Sequence, residues 1–134
     1  MKTYNPNTVF APTGPFSHGV ETPAGARWLH ISGQIGVAPD GKVPADFEAQ
    51  AAQCWRNVKA VLAAAGMGPE NLVKCTHFLT RAEDVATYGK IRARELGEAR
   101  PASTLLVISA LARPGLLVEV EAIAAKQLPP DATA

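Results

Sequence analysis

The run 104–109, Thr-Leu-Leu-Val-Ile-Ser, restricts the fold more than any other stretch of this chain. Its β-branched and aliphatic residues favour an extended strand. In a strand, Leu105 and Val107 point to one face and Leu106 and Ile108 to the other. Both faces are apolar, so both need cover. With 134 residues the chain has material for one domain and one core, and only two of its segments have helical periodicity. Two helices cover one side of a four- or five-stranded sheet. The pattern therefore predicts that another copy of the chain covers the other side.

The first helix is predicted to start at Asp46, a good N-cap, and to end at Gly66. Phe47, Ala51, Cys54/Trp55, Val58, Val61/Leu62 and Ala65 recur at the three-to-four spacing of one buried face. The second helix covers about residues 84–96, with Val85, Tyr88, Ile91/Arg92 and Leu96 on one face and Pro101 just beyond. Strands are predicted at 27–32, stopping at Gly33, and at 72–80, 103–109 and 116–125. Asp40-Gly41 and Arg113-Pro114-Gly115 reverse the chain, and 68–71 is a connector. The order strand, helix, strand, helix, strand, strand gives an α/β two-layer sandwich, a single domain over residues 1–134 with both helices on one face. Residues 128–134 read as frayed coil.

Charge and composition exclude several classes of function. The 13 basic and 12 acidic residues leave a net charge of +1 and form no basic stripe, so nucleic acid is not an expected partner. No apolar run is long enough to span a bilayer, and residues 1–10 lack the apolar core of a signal peptide. The two cysteines, Cys54 and Cys75, have no paired spacing and read as small buried hydrophobes in a reduced, cytoplasmic protein. The three histidines, His18, His30 and His77, lie in separate elements without metal-ligand spacing, so no metal is expected. No glycine pattern marks a phosphate-binding loop, and no cofactor is expected. His30 and His77 read as satisfied strand residues, and Trp28 and Trp55 as core or seam residues.

Four segments resemble the Rid (reactive intermediate deaminase, or YjgF) family in its order and spacing. Gly14-Pro15-Phe16-Ser17-His18-Gly19 is similar to the family's G-P-[YF]-S segment, and Ile31-Ser32-Gly33-Gln34-Ile35-Gly36 to its S-G-Q-[IV] strand end. Arg100-Pro101-Ala102-Ser103-Thr104 resembles P-A-R-[ST], except that Ser103 replaces the arginine. Val118-Glu119-Val120-Glu121-Ala122-Ile123-Ala124 resembles the last strand, [IV]-E-[IV]-E-A-[IV]-A. The resemblance covers nearly the whole chain. It implies a chorismate-mutase-like fold, with a mixed sheet, and a homotrimer whose sheets face the centre, with small clefts at the subunit seams. The deaminase members hydrolyse reactive enamines and imines to a 2-oxo acid and ammonia without a cofactor. Some relatives have been described as ribonucleases, a role that the neutral charge disfavours here.

The same resemblance nominates the site. It implies Glu119 and Ser32 as catalytic residues and Phe16, Gly33, Ser103, Thr104 and His18 as substrate-binding residues. Glu119 would position a water, take its proton and pass one to departing ammonia. Ser32 and Gly33 would offer hydroxyl and backbone N–H donors to an oxygen. In the deaminases the arginine holds the substrate carboxylate, because a guanidinium gives it two parallel charge-assisted bonds. Serine offers one neutral bond, so the substrate is expected to differ, with Arg100 or Arg113 as possible replacement anchors. Phe16 stands where many members carry tyrosine. Together Ser103 and Phe16 predict a less polar pocket than the deaminase pattern. The leading expectation is an enzyme acting on a small labile metabolite. The alternative is a ligand-binding or regulatory trimer that has lost the chemistry.

Overall fold

The computed structural model describes residues 1–129; residues 130–134, most of the expected frayed tail, lie outside the described residues. Six strands and two helices run in the order β1 (Lys2–Tyr4), β2 (Gly19–Glu21), β3 (Arg27–Ile35), α1 (Phe47–Ala64), β4 (Leu72–Leu79), α2 (Val85–Leu96), β5 (Ala102–Val107) and β6 (Val118–Lys126). A short 3-10 turn precedes each of β4 and α2. The main sheet has the order β3-β6-β4-β5, antiparallel except for the parallel β4–β5 pair. The expected two-layer α+β architecture with a mixed sheet is therefore present. The β1–β2 hairpin, which no periodicity marks, forms a separate two-stranded sheet.

The helix boundaries follow from capping and burial. The Asp46 carboxylate accepts the Ala49 N–H at 2.7 Å and opens α1. Phe47, Ala51, Cys54, Trp55, Val58 and Leu62 then bury one face, as their spacing predicts. On α2, Tyr88, Ile91 and Leu96 are buried, but Val85 is exposed at the helix start, contrary to expectation. It sits in the first turn, beyond the reach of the core.

On β4, Cys75, His77 and Leu79 face the helices. So do Val118, Val120, Ala122 and Ala124 of β6. The strands depart from expectation in two ways. First, β3 does not stop at Gly33 but runs on to Ile35 through a register shift between Ile31 and Gln34. A bulge lets a strand bend while its ladder continues. Second, the uncovered face of the sheet is not an apolar surface. Leu106 and Trp28 are exposed on it, but His30, Ser32, Lys74, Thr76 and Glu121 line a depression between them. The two-faced apolar pattern of β5 does not extend to its neighbours. Val107, on the covered side, is also exposed, because β5 is the sheet edge.

Candidate functional site

The structure sorts the nominated residues into two groups on opposite faces of the sheet. Ser103 pairs in register with Cys75, whose side chain is buried towards the helices. Glu119 pairs with Phe78, one pleat out of phase with that face, and lies on β6, separated from β5 by β4. Within one chain these residues do not form one cleft.

The first group gathers at the start of β5. Segment 14–18 is tied alongside it. The Ser17 N–H donates to the Pro101 carbonyl at 3.0 Å, its hydroxyl donates to the Arg100 carbonyl at 2.6 Å, and Ser17 bridges Ala102. This brings Phe16 beside His18, edge to face at 5.9 Å between ring centroids. His18 is exposed, and its Nε2 is engaged by the Phe10 carbonyl at 2.6 Å. Ser103 is half-buried and ends a chain of polar side chains running through the core. Trp55 Nε1 donates to the Tyr88 hydroxyl at 3.2 Å, Tyr88 bonds His77 Nδ1, and His77 Nε2 lies 3.0 Å from Ser103 Oγ. Burial pushes the Tyr88 phenol well above its ordinary range. It also lowers His77 to about 3, an effect that the positive charges of Arg92 and Lys74 reinforce, so the imidazole is neutral. Ser103 is thus more than the start of a strand.

The residue that the sequence does not single out for the site is Arg92. It lies on α2 in the second buried row with Ile91, which reads as packing. Its guanidinium reaches the strand, with Nη1 3.4 Å from Ser103 Oγ. It packs so closely on segment 14–18 that a Cβ at Gly14 would sit 3.0 Å from Nη2. Its charge works against protonation of His77 and against burial's upward push on the Cys75 thiol, which still stands at about 12. The expected less polar pocket is therefore corrected, because a cation from α2 stands beside the serine. Neither Arg100 nor Arg113 fills that place. Arg100 donates to the carbonyls of Gly97 and Ala99 at 2.8 and 2.7 Å, closing the end of α2. Arg113 stays in the turn after β5, at the far end of that strand from Ser103.

The second group lies on the open face. The Glu119 carboxylate lies directly over Gly33. A Cβ there would fall 2.1 Å from Oε2 and 2.8 Å from Cδ, so a side chain at 33 would displace the acid. The β3 bulge and the glycine together give Glu119 its room. Ser32 adjoins them but shares its depression with Glu121 and Lys74. Thr104 does not join Ser103, because it points to the open face, where Lys74 Nζ donates to its hydroxyl at 2.6 Å. His30 is also exposed there, against the expectation of a satisfied strand residue, whereas His77 meets it. Cys54 and Cys75 are buried, with both thiols pushed up to about 12 mainly by desolvation. Among the described residues no group of His, Cys, Asp or Glu is arranged to hold a metal ion, and no helix is long and apolar enough to cross a membrane.

Comparison with known proteins agrees with this architecture. The family described as endoribonuclease L-PSP matches residues 7–126. The chain is 41% identical to Protein DfrA of Myxococcus xanthus over 113 residues, 83% of this chain and 85% of that one. It is 35% identical to the 2-iminobutanoate/2-iminopropanoate deaminase of Escherichia coli over 130 residues, 94% of this chain and 98% of that one. Its fold is similar to the crystal structure of YyfB, a Rid-family protein from Yersinia pestis. The TM-score is 0.83 and the identity 33%, over 93% of this chain and 98% of that one. The match over residues 7–126, with a 35% identical relative over 94% of the chain and the fold similarity, places this chain in the Rid (YjgF) family, the family described as endoribonuclease L-PSP.

Proposed function

We propose that the protein hydrolyses the C=N bond of a small reactive imine, or its enamine tautomer, in a cleft that two copies of the chain complete within a homotrimer. The placement of Glu119 carries this reading. Its carboxylate lies over a glycine at a strand bulge and enters no ion pair among the described residues. Natural chains seldom leave a partly buried carboxylate without a partner unless something else is to meet it. The relative named as a 2-iminobutanoate/2-iminopropanoate deaminase supports the choice of reaction.

The chemistry balances without a cofactor. Glu119 takes a proton from water as the water oxygen bonds to the imine carbon, and the C=N π pair moves to nitrogen, which gains a proton. The proton that nitrogen gains is the one Glu119 took from water. The hydroxyl of the carbinolamine then gives up its proton, and Glu119 passes it to nitrogen. The C–N bond breaks with its electron pair going to nitrogen, neutral ammonia leaves, and the C–O bond becomes the carbonyl of the product. Because Ser103 and Glu119 lie on opposite faces, a neighbouring copy has to bring its own Glu119 to the Ser103 end of this chain. The depression and exposed Leu106 and Trp28 on the open face give that neighbour a surface to cover.

The test supplies imines generated in place by an amino-acid oxidase, or fresh 2-aminoacrylate, and follows release of the 2-oxo acid. Release faster than the spontaneous reaction is expected. No acceleration with any of them would favour the ligand-binding alternative. Analytical ultracentrifugation is expected to give a trimer, and a stable monomer at micromolar concentration would remove the shared cleft.

A further inference from the structure

We propose that Arg92, together with the Ser103 hydroxyl, forms an anion site that holds the carboxylate of the substrate, so that the charge supplied by the strand in other deaminases comes here from α2. The inference rests on the imine-hydrolysing reading for the identity of its ligand, but the site follows from the directions of the hydrogen bonds themselves.

The indole N–H of Trp55 can only donate, so the Tyr88 oxygen accepts from it. The Tyr88 proton is then directed to His77 Nδ1, its partner in the core. With Nδ1 accepting, the neutral imidazole carries its proton on Nε2 and donates it to Ser103 Oγ. Arg92 Nη1 also donates to that oxygen. Two donors occupy the lone pairs of Ser103, so its own proton has to point to an acceptor beyond the chain. Trp55, Tyr88, His77 and Arg92 thereby set the half-buried serine as a donor.

The guanidinium points to the same ligand. Arg92 has no carboxylate partner among the described residues, and its Nε is buried without any hydrogen-bond partner. A partly buried guanidinium with no anion beside it is costly unless its charge is balanced. A Cβ at Gly14 would crowd Nη2 at 3.0 Å, so the glycine is what lets the guanidinium sit against segment 14–18. One fork of N–H donors and one hydroxyl suit a planar monoanionic carboxylate. A phosphate dianion would call for more than one cation. Phe16, held beside Gly14 by the Ser17 bonds, supplies an apolar wall for the rest of a small ligand.

The test measures binding apart from turnover, on the whole protein in its native assembly. Isothermal titration with 2-oxobutanoate, the product of 2-iminobutanoate hydrolysis, is run on the parent, Arg92→Met, Arg92→Lys and Ser103→Ala, with inorganic phosphate as a competitor. The parent is expected to bind saturably. Arg92→Met should weaken binding by roughly ten- to a hundredfold, from the worth of hydrogen bonds to charged groups. Arg92→Lys should fall between, because it keeps the charge and loses the fork, and Ser103→Ala should cost less than Arg92→Met. Thermal melting should show Arg92→Met folded, since Met removes an unsatisfied group and keeps the stem's packing. Unchanged affinity in a folded Arg92→Met, no saturable binding by the parent, or tighter binding of phosphate than of the carboxylate would each overturn the site. Turnover separates the two claims. A parent that hydrolyses imines with the same KM as Arg92→Met refutes this anchor and leaves the reaction standing. A parent that binds 2-oxobutanoate through Arg92 but hydrolyses nothing refutes the reaction and leaves the anchor.

Discussion

The covered and open faces of the sheet treat polar side chains in opposite ways. Beneath the helices, Trp55, Tyr88, His77 and Ser103 are joined donor to acceptor across α1, α2, β4 and β5. Burial leaves no water to complete such groups, so the core is stable only with each of them partnered and in one orientation. On the open face, His30, Ser32, Glu119 and Glu121 stand where solvent or another chain can reach them. The first face is set by its own chain down to the direction of a proton. The second leaves its polar groups to whatever covers them. Substitutions in the buried chain from Trp55 to His77 should therefore fail in stability, and those on the open face in turnover.

The largest effect is expected on the open face. Glu119→Gln keeps the shape and removes the proton transfer, so turnover of an accepted imine should fall by ~10²–10⁴, the range for loss of a general acid–base group. Denaturation midpoints should stay near the parent's. Gly33→Ala should lower turnover in the same direction by displacing the same carboxylate, and Glu121→Gln, one pleat along, should change it little. Steady-state kinetics on the three variants checks the order. Equal turnover in Glu119→Gln and the parent would move the acid–base role elsewhere.

On the covered face the expected loss is in stability. Tyr88→Phe leaves the Trp55 N–H and His77 Nδ1 without their shared partner in the core. Removing such a buried partner costs ~1–3 kcal/mol, read as a lower urea midpoint at an unchanged slope. A midpoint equal to the parent's would mean that the chain from Trp55 to Ser103 is not closed.

A smaller effect per step separates the faces by pH. His77 is depressed in the folded state from 6.5 to about 3. Between these values the unfolded chain binds a proton that the folded chain does not, so stability rises with pH through this window. The contribution of His77 is complete above 6.5 and is lost as pH falls towards 3, at up to ~1.4 kcal/mol per pH unit. Urea unfolding between pH 7 and 4 measures it. His77→Gln should flatten the slope over that window while lowering stability at pH 7.

Much of this molecule is legible residue by residue, where a local rule has no competitor. The α1 boundaries follow from Asp46 and from apolar spacing, and both recur in the structure. The motif around Ser32 and Gly33 and the Glu119 strand point to one another, and the carboxylate does lie over Gly33. Where sequence reasoning goes astray, a neighbour decides. Gly33 looks like a strand end because glycine usually punctuates, yet the ladder with β6 carries β3 past it. His30 and His77 both sit in strands, and only the covering helices make one a buried acceptor and the other an exposed ring. Thr104 adjoins Ser103 in sequence, but the alternation of the strand sends it to Lys74 on the other face.

The sequence by itself determined the order of the two helices and the four strands of the main sheet, the single core and the family, because hydrophobic period, capping and motif spacing are properties of the chain read in one dimension. Only the tertiary structure decided which cation stands beside Ser103. Arg92 lies eleven residues before that serine on another element, in a helical row that marks packing and carries no motif. Charge has no periodicity to read, and its effect depends on distance and burial in three dimensions. The reach of its side chain from α2 to β5 makes an ordinary helix arginine the charged partner of a strand serine.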